Sequence, residues 1–246
     1  MTAKLITIAP SHYCEKSRWC LDISGIEYTE EPHAPFFHIS AVKRAGGVRS
    51  TPVLQLESET LPTSDAITEW IARQPDISWN PYGTGECRTK IREMELEFGR
   101  KLGKLTRLAI YRDLLPHKHL FLSCMSTTPI TEQKWLSMGF PVFSWLIGRS
   151  LNINESSCQR AVEAIYDIFD MVEDNANGDF LVGNTLSIAD VSFAAISAPV
   201  LLPENYGSPL PKLMDLPEKA QQLIGSFRAT AAGKRVLRLY QNHRRK

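Results

Sequence analysis

Net charge, long apolar runs and paired cysteines are all scarce in this chain, and each scarcity removes a class of function. Twenty-eight Lys and Arg stand against 27 Asp and Glu, a formal net charge of +1. No global field therefore draws the protein to nucleic acid or to an anionic membrane. The most apolar stretch, Phe140 to Leu151, is broken by Pro141, Ser144, Gly148 and Arg149. It is too short to span a bilayer and predicts a buried helix. The five cysteines, Cys14, Cys20, Cys87, Cys124 and Cys158, form an odd set without a CxxC pair, which argues against a metal site. Met1 to Lys4 lacks the apolar core of a signal peptide, and with the irregular cysteines it predicts a reducing, cytoplasmic setting. Internal repeats and low-complexity segments are missing as well.

What remains is ordinary globular material, 43% apolar and 22% charged over 246 residues. That is enough chain to bury the core of one large domain or two modest ones. The basic end, His243-Arg244-Arg245-Lys246, reads as a solvated terminus.

Patterning divides the chain in two. Lys4 to Ile8 is short and β-branched, ends before Pro10, and predicts a buried strand. A helical pattern runs from Tyr13 to a stop at Gly25, with Trp19 and Cys20 in its core face. Ile26 to Glu30 alternates as a second strand, His33 to Phe37 reads as loop, and a short helix over Ile39 to Arg44 ends at Gly46-Gly47. Thr51 to Leu56 is a third strand with proline near its start, Thr60-Leu61 a fourth, and Ser64 opens a helix carrying Ala66, Ile67, Trp70 and Ile71 on one face. The order is β-α-β-α-β-β-α over the first 75 residues. Residues 76–85 read as a linker, and residues 86–246 as an all-helical domain. Ile91, Met94, Phe98, Leu102, Leu105 and Ala109 make one long buried stripe, and Val162, Ile165, Phe169 and Val172 make another. Further short helices fall at Leu216 to Phe227 and Val236 to Tyr240. In Leu186-Ser187-Ile188-Ala189-Asp190-Val191, Ser187 can cap a helix while Asp190 reaches back to its amide, with Leu186 and Val191 as a hydrophobic staple.

Chemistry concentrates at Ser11-His12-Tyr13-Cys14, where the first strand gives way to the first helix. Amides at a helix start lack intrahelical partners and the helix dipole favours negative charge there, so a thiolate placed at that point is stabilised.

A β-α-β-α-β-β-α module, Thr51-Pro52 leading a strand, Thr63-Ser64-Asp65-Ala66-Ile67 opening a helix, and Gly183-Asn184-Thr185-Leu186-Ser187-Ile188-Ala189-Asp190 in a helical second half together resemble a cytosolic glutathione transferase. The resemblance covers nearly the whole chain, with a serine-type, theta-like or omega-like N-terminal motif. It implies an α/β thioredoxin-like domain that binds glutathione, followed by an all-α domain that completes a pocket for a small hydrophobic electrophile. It also implies a homodimer. By resemblance, Pro52 is cis and presents the Thr51 backbone to glutathione's cysteinyl amide, while Ser64 meets the γ-glutamyl carboxylate. Where the family carries an acidic residue or Gln for the γ-glutamyl ammonium, this chain has Thr63, and Asp65 is the available substitute.

Ser11 falls on the serine of the theta-like Ser-x-x-Cys-Arg pattern and replaces the first cysteine of the omega-like Cys-Pro-Phe-Cys pattern. Ser11, Cys14 and Tyr13 are the candidates for acting on the glutathione thiol, with Cys14 also readable as a buried bystander. Tyr111, Arg112 and Trp135 are candidates for the electrophile pocket, with Trp145 further on, and the long region 116–154 is expected to extend or cover it. His117 and His119 read as a solvated loop. Three activities are compatible with this pattern: conjugation of glutathione, with peroxide reduction as a variant; ligand or partner binding without catalysis; and disulfide exchange through Cys14.

Overall fold

The computed structural model describes residues 3–176 and 178–244. Its first half is a four-stranded mixed sheet of the thioredoxin type. Strand β1 (Lys4–Ile8) leads through α1 (His12–Ile23) to β2 (Thr29–His33). Helix α2 (His38–Arg44) then precedes β3 (Val53–Gln55), β4 (Thr60–Leu61) and α3 (Ser64–Ile71). The strand order is β2-β1-β3-β4, with β1 parallel to β2 and antiparallel to β3. Strand β2 lies three residues later than its alternation suggests, because Gly25 turns the chain with positive φ and the Ile26 amide still bonds back to Leu21 O at 3.0 Å. Pairing begins only at Thr29, opposite Lys4. Pro32 within β2 is tolerated because the strand lies at the sheet's edge, where no second ladder needs its amide.

The second half is helical: α4 (Cys87–Glu97), α5 (Gly103–Leu114), α6 (Lys118–Ser123), α7 (Ile130–Met138), α8 (Phe140–Leu151), α9 (Glu155–Asn175), α10 (Ile188–Leu201), α11 (Glu218–Ala229) and α12 (Ala231–His243). The stripe from Ile91 to Ala109 is not one regular helix. A π turn, Phe98–Leu102, joins α4 to α5 and keeps Phe98 and Leu102 buried. Helix α10 is the axis of this half and packs against α1, α4, α5 and α12. Its start is fixed by Asp190, which accepts from the Ser187 amide (2.9 Å), the Ser187 hydroxyl (2.7 Å) and the Leu181 amide (2.7 Å). The two halves share one core: Trp19 and Leu54 belong to the same buried cluster as Phe169 and Phe193.

Three expectations change here. Residues 76–85 pack onto the helical half: Trp79 Nε1 donates to Leu186 O, the Ile188 amide to Pro81 O, and Tyr82 is buried. Helix α8 is present but buries only Phe140 and Phe143, leaving Val142 and Trp145 exposed. The basic end is not simply solvated. Arg244 is buried, with its Nε on Glu15 (2.8 Å) and its Nη1 on Asp22 (2.5 Å), both on α1. Glu15 also accepts from the Gly207 amide, and Arg18 binds Glu30 and the Ala9 carbonyl. This paired cluster ties the chain's end to α1. Arg245 and Lys246 lie outside the described residues.

Candidate functional site

The turn after β1 returns the Ser11 amide to Ile8 O at 3.0 Å, and Ser11 becomes the N-cap residue of α1 with extended backbone. Its hydroxyl does not cap the helix. It lies at the Cys14 thiol, as does the Thr51 side chain, and both favour the thiolate there. Cys14 is fully buried, and that burial raises its pKa against the opposing effects of Arg18 and the two hydroxyls. The thiol is therefore held neutral.

Tyr13 turns the other way. Its hydroxyl donates to Gly99 O at 2.7 Å, and burial raises its pKa. The π turn and its glycines make this docking possible. A Cβ at Gly103 would stand 2.2 Å from the Tyr13 hydroxyl oxygen and 3.1 Å from His12 Nε2, so only glycine lets α5 approach α1 this closely.

The Thr51–Pro52 peptide is cis. Beyond β4, Thr63 and not Ser64 caps α3: the Thr63 hydroxyl accepts from the Ala66 amide at 3.1 Å, making Ser64 the first helical residue. The Ser64 hydroxyl is buried and donates to Asp65 Oδ1 (3.3 Å), which also receives Lys16 Nζ (2.7 Å). Lys16 pairs as well with Glu95 on α4 at 2.6 Å. Burial pulls the Lys16 pKa down, but Glu95 and Asp65 more than reverse this, so the ammonium stays charged. Tyr13, Lys16, Ser64, Asp65, Gly99 and Arg100 border an opening of about 210 Å³ between the two halves.

A second, mainly apolar cleft opens on the other flank of α1's first turn. Pro10 and His12 line it from the first half, and Arg107, Ile110, Tyr111 and Leu114 from α5. His12 is buried, and burial followed by the Arg107 charge lowers its pKa to about 3, so the ring is neutral. Burial likewise pushes Cys124, across the cleft, up to about 11.

Of the residues expected at an electrophile pocket, Tyr111 lines this cleft. Arg112, one position on, is rotated by about 100° on the helix and binds Asp113 at 3.2 Å. Trp135 on α7 is 64% exposed and does not line the cleft. His12, from the stretch where chemistry was expected, lines it too, and Arg107 lines it without having been singled out. The signal for Arg107 was Arg107-Ile110-Tyr111-Leu114, a 3-1-3 spacing that marks one face of α5. His117 and His119 stand at the start of α6, away from the cleft. Region 116–154 forms α6 to α8, of which Phe121 and Cys124 reach the lining. Among the described residues no group of three His, Cys, Asp or Glu side chains could hold a metal, and no helix is long and apolar enough to cross a membrane.

Residues 5–79 match the family model described as "Glutathione S-transferase, N-terminal domain". No curated protein matches the chain by sequence. Among solved structures, a glutathione S-transferase of Ceriporiopsis subvermispora in complex with glutathione is similar over 99% of this chain and 98% of its own, at 14% identity and a TM-score of 0.61. The beta-etherase LigF of Sphingobium sp. strain SYK-6 is similar over 97% of this chain and 99% of its own, at 16% identity and a TM-score of 0.58. A glutathione S-transferase of Rhodospirillum rubrum F11 is similar over 98% of both chains, at 15% identity and a TM-score of 0.57. The chain thus has the fold of the glutathione S-transferases along its length, with the N-terminal domain of that family over residues 5–79.

Proposed function

We propose that the protein is a glutathione transferase in which Ser11 ionises the glutathione thiol. The observation that carries this reading is the placement of the Ser11 hydroxyl: it stands at the start of α1 without capping it, at the Cys14 thiol together with the Thr51 side chain, whose peptide bond to Pro52 is cis. Glutathione would lie along the segment before Pro52, its γ-glutamyl end in the opening bordered by Ser64, Asp65 and Lys16. A free thiol with a pKa of about 8.5 is only slightly ionised at neutral pH. A hydroxyl donating to the sulfur, together with the helix dipole, favours the thiolate. The thiolate then attacks an electrophilic carbon: a C–S bond forms, the leaving group departs with its electron pair, and the thiol proton passes to solvent. A peroxide oxygen is the alternative acceptor. The two-fold homodimer and the cytoplasmic setting belong to the same reading.

A second reading is a non-catalytic ligand- or partner-binding protein. It is favoured by the employment of the ammonium-site residues: Thr63 caps α3 and Asp65 Oδ1 already holds Lys16. Disulfide exchange through Cys14 gains no support, since that thiol is buried and its pKa is raised.

Calorimetry with glutathione, a thiolate titration by ultraviolet absorbance, and conjugation of an aryl halide separate the readings. Ser11→Ala is expected to bind glutathione with near wild-type affinity, to raise the bound thiol's pKa, and to lose about 10- to 100-fold in kcat/KM, the worth of one charge-assisted hydrogen bond. A wild-type protein that binds no glutathione would overturn the enzyme reading.

A further inference from the structure

Among the described residues Arg107 is the one Lys or Arg on the lining of the apolar cleft, and no acidic side chain lines the cleft with it. Its Nε donates to Gly103 O at 3.1 Å, and no carboxylate pairs with its guanidinium among the described residues. Tyr111, one turn further along α5, presents a hydroxyl that has no hydrogen bond within the described chain and packs its ring edgewise on Phe121. Residues four apart on a helix share a face, so both head groups belong to the same wall. His12 completes the set: its Nε2 is buried and has no hydrogen-bond partner among the described residues.

A buried polar atom without a partner, such as His12 Nε2, is uncommon, because it gives up hydration without replacing it. Arg107 and Tyr111 are half-buried on the same wall, and Arg107 differs there from the fully buried Lys16, Arg18 and Arg244, which pair with Glu95, Glu30 and Glu15. Neutral His12 and neutral Cys124 leave the Arg107 charge uncompensated from inside the cleft. The guanidinium fork matches a planar carboxylate, and Ile110, Leu114 and Leu202 offer apolar walls to the body that carries it.

We propose that this cleft selects an apolar, aromatic-sized molecule bearing one carboxylate, with Arg107 as the specificity-determining residue and the Tyr111 hydroxyl as a second donor. In the transferase reading, on which the substrate role rests, that molecule is the electrophile, with its carboxylate on α5 and its reacting carbon toward Ser11.

Two measurements keep the proposal separate from that reading. The first is equilibrium binding of naphthoate and its uncharged isostere naphthamide to wild type, Arg107→Leu and Arg107→Lys, which needs no chemistry. Wild type is expected to prefer naphthoate by about tenfold. Arg107→Leu should abolish that preference while keeping naphthamide affinity within about twofold, and Arg107→Lys should restore part of it. The second compares conjugation of chlorodinitrobenzoate and chlorodinitrobenzene by glutathione, where Arg107→Leu should lower kcat/KM for the benzoate alone. Naphthoate preference without conjugation of either halide leaves the proposal standing and overturns the transferase. Conjugation with equal affinity for naphthoate and naphthamide leaves the transferase standing and overturns the proposal. A preference that survives Arg107→Leu overturns it as well.

Discussion

The two clefts beside the first turn of α1 treat a lining cation in opposite ways. In the cleft next to α3, Lys16 is all but removed from solvent, yet Asp65 and Glu95 lie within 2.7 Å and 2.6 Å of its ammonium. In the cleft next to α5, Arg107 has only a backbone carbonyl, and its neighbour His12 is neutral. A paired ion holds a shape, whereas an unpaired one is open to a ligand. Lys16 joins α1 to α3 and α4, so it ties the two halves together at the cleft next to α3. Arg107 joins nothing comparable.

The largest effect that would break this contrast is on Lys16's partners. Glu95→Ala leaves a buried ammonium with a single, half-exposed carboxylate. Removing one member of a buried pair costs about 3–5 kcal/mol. A protein of this size should lose roughly 10 °C in Tm as a result. Replacing both ions, as Lys16→Met with Glu95→Leu, should recover most of the loss, since apolar isosteres of a buried pair are often neutral. Urea unfolding of the three proteins checks this; a Glu95→Ala loss below about 1 kcal/mol would mean that water already reaches the pair.

The second effect is on the other cleft and depends on pH. His12 has a folded-state pKa of about 3 against 6.5 in the unfolded chain. Above pH 6.5 both states are neutral and His12 makes stability independent of pH. Below it the unfolded chain takes a proton that the folded one refuses, so stability falls by up to about 1.4 kcal/mol per pH unit until the folded pKa is reached. His12→Leu should therefore narrow the loss between pH 6.5 and pH 5 by about 2 kcal/mol. His38, whose pKa burial also lowers, is common to both proteins and drops out of the difference. Denaturant midpoints at the two pH values give the slopes; equal slopes would place water or an anion at His12.

The same contrast explains how much of the molecule was legible in its sequence. The succession of strands and helices in the first half and the helical second half follow from patterning, and the start of α10 follows from Ser187 and Asp190, whose mutual contacts span three residues. Thr63 against Ser64 as the cap of α3 differs by one position, and the two are chemically alike as caps. The ion pairs were not legible, because Lys16 meets Asp65 and Glu95 only after three helices converge. Lys16 and Arg18 sit in an α1 pattern that reads as polar, and both are buried because their partners arrive from elsewhere. Arg244 likewise becomes a core residue only where Glu15 waits for it. Trp135, a candidate for the electrophile pocket, stands exposed on α7 away from the apolar cleft, which its spacing in the sequence does not reveal. Arg107 was passed over because one arginine on an amphipathic helix is normally a solvated residue, and only the cleft's shape shows which face it is on.

The smallest expected effect is also the sharpest separation of the two clefts. Arg107→Leu removes one hydrogen bond to the Gly103 carbonyl, worth about 1 kcal/mol, and relieves the desolvation of a cation that lacks a counter-ion. The two changes oppose each other, and the net shift in unfolding free energy should lie within about 0.5 kcal/mol of zero. Lys16→Met, by contrast, strands Glu95 in the interior and should cost several kcal/mol. Unfolding both variants under the same conditions compares like with like, because each exchanges a long cation for an apolar side chain. If Arg107→Leu destabilises as severely as Lys16→Met, the guanidinium is part of the scaffold and the apolar cleft has no standing charge to offer a ligand. If it is silent in stability while naphthoate binding collapses, Arg107 is held in place for a molecule the protein binds.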